Sequence, residues 1–358
     1  MKVYNITGDY YACAYVRQLL PMWENGYNGN FIGLNTPKKE TELVSKEAQD
    51  SDVIVFHRPE KKEHWNVANI LKGMGKKIVF DNDDTFKLHK GHPFHKMHTT
   101  LELMDKFDKN LKIINEWTDS FIKACDLVTT TTKTLAAEYR KLNPNVVILP
   151  NCVNPEDWEE PLRNEGDKVR IAISGSAAFS TDCLEIENYI KELDERDDVQ
   201  FVLFGLGSKK DRKKHPKVTK LFQDEYKFWD TLKNKEHVAG VQRYKYFETL
   251  NNLKIDIMLI PRRENNFNRC KSNVKFLEAA MCEIPVVASS FKDGPYEELD
   301  GKNGIKIKDK TKWKEIVDDL IENKKKRRAM GREAKQFAIN NYHIKDHAYK
   351  WEEAYKTL

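Results

Sequence analysis

The sequence predicts an α/β protein of two doubly wound, parallel-sheet domains, on three observations. Short apolar runs alternate with amphipathic helical patterns from one end of the chain to the other. The rhythm breaks once, at "CVNPEDWEEPLRNEGDK", where proline, acids and glycine cluster, and then restarts. A length of 358 residues also suffices for two cores of ordinary size. The expected organisation is an N-terminal domain 1–155, a linker 156–167, a C-terminal domain 168–337, and a terminal helix 338–358 packing back on the first domain.

The elements follow in order. "KVYNIT" reads as a strand and "YYACAYVRQLLPMWENG" as a helix with a glycine stop. "SDVIVFHR" is a buried strand, "EHWNVANILKGMGK" a helix, and "KIVFDNDD" a strand ending in acids. A long charged helical region is expected over roughly 98–124, before the strand "CDLVTTTT", the helix "KTLAAEYRKLN" and the strand "NVVILPN". In the second half "VRIAISGS", "VQFVLFG", "HVAGV", "IDIMLIP" and "IPVVAS" read as strands. "TDCLEIENYIKELDER", "YFETLNNL", "NRCKSNVKFLEAAM" and three closing segments read as the helices between and after them. Two such domains take ligands at the C-terminal ends of their strands, in the crevice between them.

Composition narrows the class. Hydrophobic residues make up 40% and charged residues 33%, and no apolar run approaches the roughly 18 residues that a membrane span requires. The six cysteines are scattered, without zinc spacing, and the first residues lack a signal-peptide layout, so a reduced cytoplasmic chain is expected. A net charge of +5 mildly favours an anionic ligand or surface. The runs "SKKDRKKHPK" and "NKKKRR" read either as solvated faces or as contacts for a polyanion, an anionic membrane or DNA.

The stretch "NRCKSNVKFLEAAMCEIPVVAS" carries more than a helix needs. Val274, Leu277, Ala280 and Met281 supply the apolar stripe. Ser272 is the expected N-cap, leaving the amides of Asn273 and Val274 to point out of the helix start. Lys271 adds a full charge there, Lys275 lies one turn on, and Glu278 follows about two turns in. Such a tip suits phosphate oxygens, and such a carboxylate can accept two hydroxyl hydrogen bonds from a ribose. The bland alternative is a solvated polar face. Gly175 and Ser176, after the strand "VRIAISGS", either make an ordinary tight turn or offer further amides to an anion.

With its "GS" turn, "VLFG", "AGV", "DIMLIPRRENNFNRCKSNVKFLEAAMCEIPVVAS" and Asn303-Gly304 in that order, the chain resembles nucleotide-sugar glycosyltransferases of the GT-B fold. The likeness is to the retaining family 4 and "glycosyl transferases group 1" type, and it covers nearly the whole chain. It implies two Rossmann-like domains facing each other across a cleft. By that resemblance Glu278 binds the donor ribose and Ser272 and Asn273 meet the diphosphate. Lys271 is one diphosphate cation and Arg262 or Arg263 the other. Gly240 and Val241 approach the nucleobase. The family's first glutamate, on the donor sugar, is replaced here by Cys270, and Glu264, Asn266 or Asn268 are the candidate substitutes. Gly8, Asp9 and Tyr10 occupy the place of a glycine loop near donor phosphates and acceptor.

In the first domain Asp81, Asp83 and Asp84 end a strand where the family often has a histidine. Their carboxylates can orient an acceptor hydroxyl, cap the next helix, or bind a metal, although the resemblance implies no metal. His57 and Arg58 end the preceding strand and either enter the same cleft or serve the core. The expected activity is transfer of a sugar, with retention, from a nucleoside-diphosphate donor (UDP-sugar first) to a hydroxyl of a glycan or polymer. No tightly bound cofactor is expected. The alternatives are a viral-type enzyme acting on hydroxymethylated bases in DNA, and a non-catalytic sugar-nucleotide-binding module.

Overall fold

The computed structural model describes residues 1–7, 12–30, 44–59, 62–85, 87 and 115–358. Gly8, Asp9, Tyr10 and most of the charged region expected over 98–124 lie outside the described residues.

The chain builds two six-stranded, wholly parallel sheets. The first has the order β2-β1-β3-β4-β5-β6, from β1 (Val3–Thr7), β2 (Asn28–Asn30), β3 (Val53–His57), β4 (Lys77–Asn82), β5 (Leu127–Thr130) and β6 (Val146–Ile148). The second has the order β12-β11-β10-β7-β8-β9. Its strands are β7 (Val169–Gly175), β8 (Val199–Gly205), β9 (Lys235–Val238), β10 (Ile257–Ile260), β11 (Val286–Ser289) and β12 (Ile305–Ile307). In each sheet the chain starts in the middle, runs to one edge and returns to build the other, so a switch point lies inside each sheet.

Parallel strands are covered on both faces, and the period-2 alternation of side chains divides them between two cores. Ile54, Phe56, Ile78, Phe80 and Val128 face one core of the first sheet. Val3, Val53, Val55, Val79 and Leu127 face the other, which they share with Ile344, Trp351 and Tyr355 from the end of the chain. The crossing is pinned where Val153 bridges His343.

Eight helices are named here: α1 (Lys62–Gly73), α2 (Lys133–Tyr139), α3 (Ala177–Cys183), α4 (Arg243–Asn252), α5 (Val274–Met281), α6 (Trp313–Glu322), α7 (Lys324–Tyr342) and α8 (Tyr349–Lys356). Thr132 caps α2 by accepting from the Leu135 amide at 3.2 Å. The first helical segment, 12–24, contains a π-turn over Tyr15–Leu19 and stops ahead of Gly26, whose φ is +65°.

Three details differ from the sequence reading. "TDCLEIENYIKELDER" is broken by a 3-10 turn at Leu184–Ile186. The strand expected to reach Val241 ends at Val238. Between β8 and β9 lie three unforeseen helices, Lys209–Lys214, Pro216–Leu221 and Gln223–Thr231.

Candidate functional site

The C-terminal ends of β7 and β8 approach closely enough to require glycine. Gly175 stands opposite Gly205, and a Cβ on Gly205, whose φ is +77°, would lie 2.3 Å from the Gly175 carbonyl oxygen. These strand ends border a cavity of about 260 Å³. Gly175, Ser176, Gly240 and Val241 supply backbone to its wall, and Tyr246, Lys275 and Glu278 supply side chains. Phe204 and Tyr246 stack there with centroids 5.4 Å apart.

Glu278 is 9% exposed, and its Oε2 accepts a hydrogen bond from the Tyr246 hydroxyl at 2.9 Å. Burial pushes its carboxyl above the usual range, against the pull of Lys275 and Tyr246. Lys275 Nζ donates to the Ser174 carbonyl at 2.6 Å. Burial lowers its ammonium to about 8.

The helix tip is built differently from the expectation. The cap position is Asn273, one residue beyond Ser272, and it makes no side-chain cap bond. Its amide is drawn away to donate to Glu298 Oε1 at 2.5 Å, while Ser272 Oγ accepts from Asn151 Nδ2 at 2.9 Å. The first amides of α5 are therefore left without a side-chain acceptor of the cap.

The expected cations are engaged by protein acids. Lys271 Nζ donates to Asp84 Oδ1 at 2.6 Å, joining the two halves of the chain. Arg262 lies 3.5 Å from Asp182 and donates to Asn268 Oδ1 at 3.0 Å. Arg263 Nε is 3.0 Å from Glu185. The candidate substitutes for the missing glutamate are likewise tied within the protein. Asn268 donates to Asp182 at 3.1 and 3.0 Å, Asn266 to Glu138 at 2.6 Å, and Glu264 accepts from Arg269 at 2.6 Å. Cys270 is buried in the first half's core beside Ala136 and Tyr139, and its carbonyl accepts from Thr132 Oγ1 at 3.2 Å.

In the first sheet, strand register sets His57 opposite Asp81 and Asp81 opposite Thr129. The three acids then divide. Asp81 is fully buried, bound by Arg17 at 2.5 and 3.2 Å and by the Thr129 hydroxyl at 2.7 Å. Asp83 lies 3.8 Å from His57 Nε2 and 3.9 Å from Arg58. Burial alone would raise its carboxyl, but Arg58 and His57 prevail and hold it well below the usual range. Asp84 takes Lys271 on one oxygen and Arg58, at 3.4 Å, on the other. Arg58 reaches both acids from a left-handed backbone, φ +53°. Among the described residues no group of three His, Cys, Asp or Glu side chains could hold a metal.

A polar cavity of about 290 Å³ lies between the halves on the other side of the α5 tip. Thr131, Thr132 and Asn151 line it from one half, and Lys271, Tyr296 and Glu298 from the other.

Sequence reasoning had Glu278 and the strand-end glycines but not Tyr246, whose partner is 32 residues away. Of the basic runs, Arg212 pairs with Asp230, Lys324 and Arg328 with Glu165, and Lys326 with Asp319. No described helix is long and apolar enough to cross a membrane.

Comparison with known proteins agrees with this geometry. Residues 185–353 match the model of a family described as glycosyl transferase-like. No curated protein matches the sequence. Among solved structures, Anabaena HepE in complex with UDP and glucose superposes with a TM-score of 0.66 at 12% identity, over 100% of both chains. Sucrose-phosphate synthase from Thermosynechococcus elongatus gives 0.64 at 12%, over 100% of this chain and 99% of that one. A glycosyltransferase from Rickettsia africae gives 0.63 at 11%, over 99% and 98%. These likenesses establish the fold as that of GT-B glycosyltransferases, and residues 185–353 are similar to the glycosyl transferase-like family.

Proposed function

We propose that the chain transfers a sugar from a UDP-sugar to a hydroxyl of a glycan or polymer acceptor, with retention of configuration. One observation carries this reading: the Glu278 carboxylate, steadied by Tyr246, stands in the wall of the cavity at the strand ends. A buried carboxylate with an oxygen left for a pair of vicinal hydroxyls is suited to a ribose. The glycine backbones and Val241 beside it accommodate a flat base, and Phe204 with Tyr246 forms an aromatic floor. UDP, found in the HepE complex, has both parts.

The diphosphate then falls at the α5 tip, where amides without a side-chain cap and the helix dipole stabilise charge on the departing phosphate. In a front-face displacement that phosphate accepts the acceptor's proton, so no protein nucleophile is needed. Asp83 and His57, both buried, and the half-buried Arg58 stand on the acceptor side as a cluster that orients the incoming hydroxyl. Asp81 serves that cluster from beneath, since its own oxygens are taken. A glycan acceptor is preferred to DNA because the second basic run spends Lys324, Lys326 and Arg328 on neighbouring acids, and the first spends Arg212.

The test is turnover of UDP-glucose and related UDP-sugars over an acceptor panel. Glu278→Ala removes two charge-assisted hydrogen bonds and is expected to lower kcat/KM by about a hundredfold or more. Unchanged turnover in that variant would remove the donor assignment, and the anomeric configuration of product by NMR decides retention.

A further inference from the structure

The three cations expected at the diphosphate already have carboxylate partners: Lys271 with Asp84, Arg262 with Asp182, and Arg263 with Glu185. Lys275 differs. It lies in the wall of the 260 Å³ cavity, between the Ser174–Ser176 turn and Glu278. Among the described residues its ammonium makes one hydrogen bond, to the Ser174 carbonyl, and an ammonium has three donors. Among the described residues no carboxylate oxygen is within 4.0 Å of it. The Phe179 ring lies 5.1 Å from Lys275 Nζ and 5.0 Å from the Arg262 guanidinium. Of these two cations only Lys275 lines the cavity.

We infer that Lys275, and not Lys271 or either arginine, is the cation that meets the donor's diphosphate, and that its protonation makes donor affinity depend on pH. The inference rests on the donor-site reading above. Lys271 is then left to join the halves through Asp84.

The groups acting on Lys275 come from every side. Glu278 stands one turn on along α5, Lys271 just ahead of the helix, Arg262 beyond β10, Cys183 at the end of α3, and the Ser174 carbonyl on β7. Tyr246, from α4, binds the Glu278 oxygen. Desolvation leads and lowers the ammonium to about 8; Glu278, the next largest influence, raises it, while Arg262 and Lys271 lower it. A diphosphate favours the charged form and raises that value, so binding takes up a proton. The sign follows: affinity is flat below about pH 8 and falls above it by up to about tenfold per unit.

Calorimetric titration with UDP-glucose from about pH 7 to 9, in buffers of different ionisation enthalpy, reads both affinity and proton uptake. The diphosphate diester does not titrate in that range. Wild type is expected to weaken above pH 8 with proton uptake. Lys275→Met is expected to bind about ten- to a hundredfold more weakly, without the pH break. Lys275→Arg keeps a permanent charge, so its affinity should stay within a few-fold of wild type with a flat profile. It also serves as the check if the methionine variant does not fold.

A Lys275→Met affinity within twofold of wild type, or a pH break surviving in Lys275→Arg, overturns the inference. If Glu278→Ala still abolishes binding in that case, the donor site stands. If Glu278→Ala binds like wild type, or wild type binds no UDP-glucose, both fall together.

Discussion

At Asp81 both carboxylate oxygens face donors of the protein itself, Arg17 on each and Thr129 on one. Removing one member of such a buried pair strands the other charge without water. Asp81→Asn is therefore expected to lower stability by about 3–5 kcal/mol in denaturant unfolding, and a loss under about 1 kcal/mol would contradict the burial. Asp83 behaves as a linkage group. Its folded pKa is depressed, so its contribution is present above the unfolded carboxylate value of about 3.9 and is lost as pH falls through the lower folded value. Asp83→Asn should flatten the acid limb of the stability curve below about pH 4, and superimposable limbs would refute this. Three adjacent acids looked alike in the sequence. Only strand register, which sets Asp81 between His57 and Thr129, separates the structural one from the two that face Arg58.

Helix α5 was legible because its apolar stripe, polar tip and following strand are all local in sequence. Its cap was misplaced by one residue because Asn273 is pulled toward Glu298, a contact that helix-capping rules do not contain. The helices between β8 and β9 escaped notice because lysines dilute them, although Tyr226, Phe228 and Trp229 of Gln223–Thr231 are buried. Gly175 was legible as a turn, but its contact with Gly205 was not. Gly205→Ala combines a left-handed φ with a Cβ driven into the Gly175 carbonyl, whereas Gly301, with φ +93°, has open space around it. The first should cost several kcal/mol and distort the donor cavity, and the second about 1–2 kcal/mol. Equal melting temperatures for the two variants would show that the strand ends can separate.

Across the whole molecule, the two-sheet architecture followed from alternating runs, but the bonds that set one half against the other did not. Lys271 and Asp84 are 187 residues apart, Asn151 and Ser272 are 121, and Thr132 and Cys270 are 138. No periodicity encodes such pairs. Around the same junction Arg243 lies 4.0 Å over the Tyr15 ring, and Phe247 packs against Tyr15 at 5.5 Å, both from the helix that carries Tyr246. A donor held by Tyr246 and Glu278 thus shares a rigid element with the contact between halves. Asp84→Asn should loosen that contact and raise the radius of gyration in solution scattering, with UDP partly restoring it, and unchanged scattering would contradict the role given to Lys271. The central claim is the donor site at α5, and a crystal structure with UDP bound tests it most directly. The ribose hydroxyls are expected within hydrogen-bond distance of Glu278, with the diphosphate between the α5 amides and Lys275. Nucleotide density elsewhere, with Glu278 still bound only by Tyr246, would contradict it.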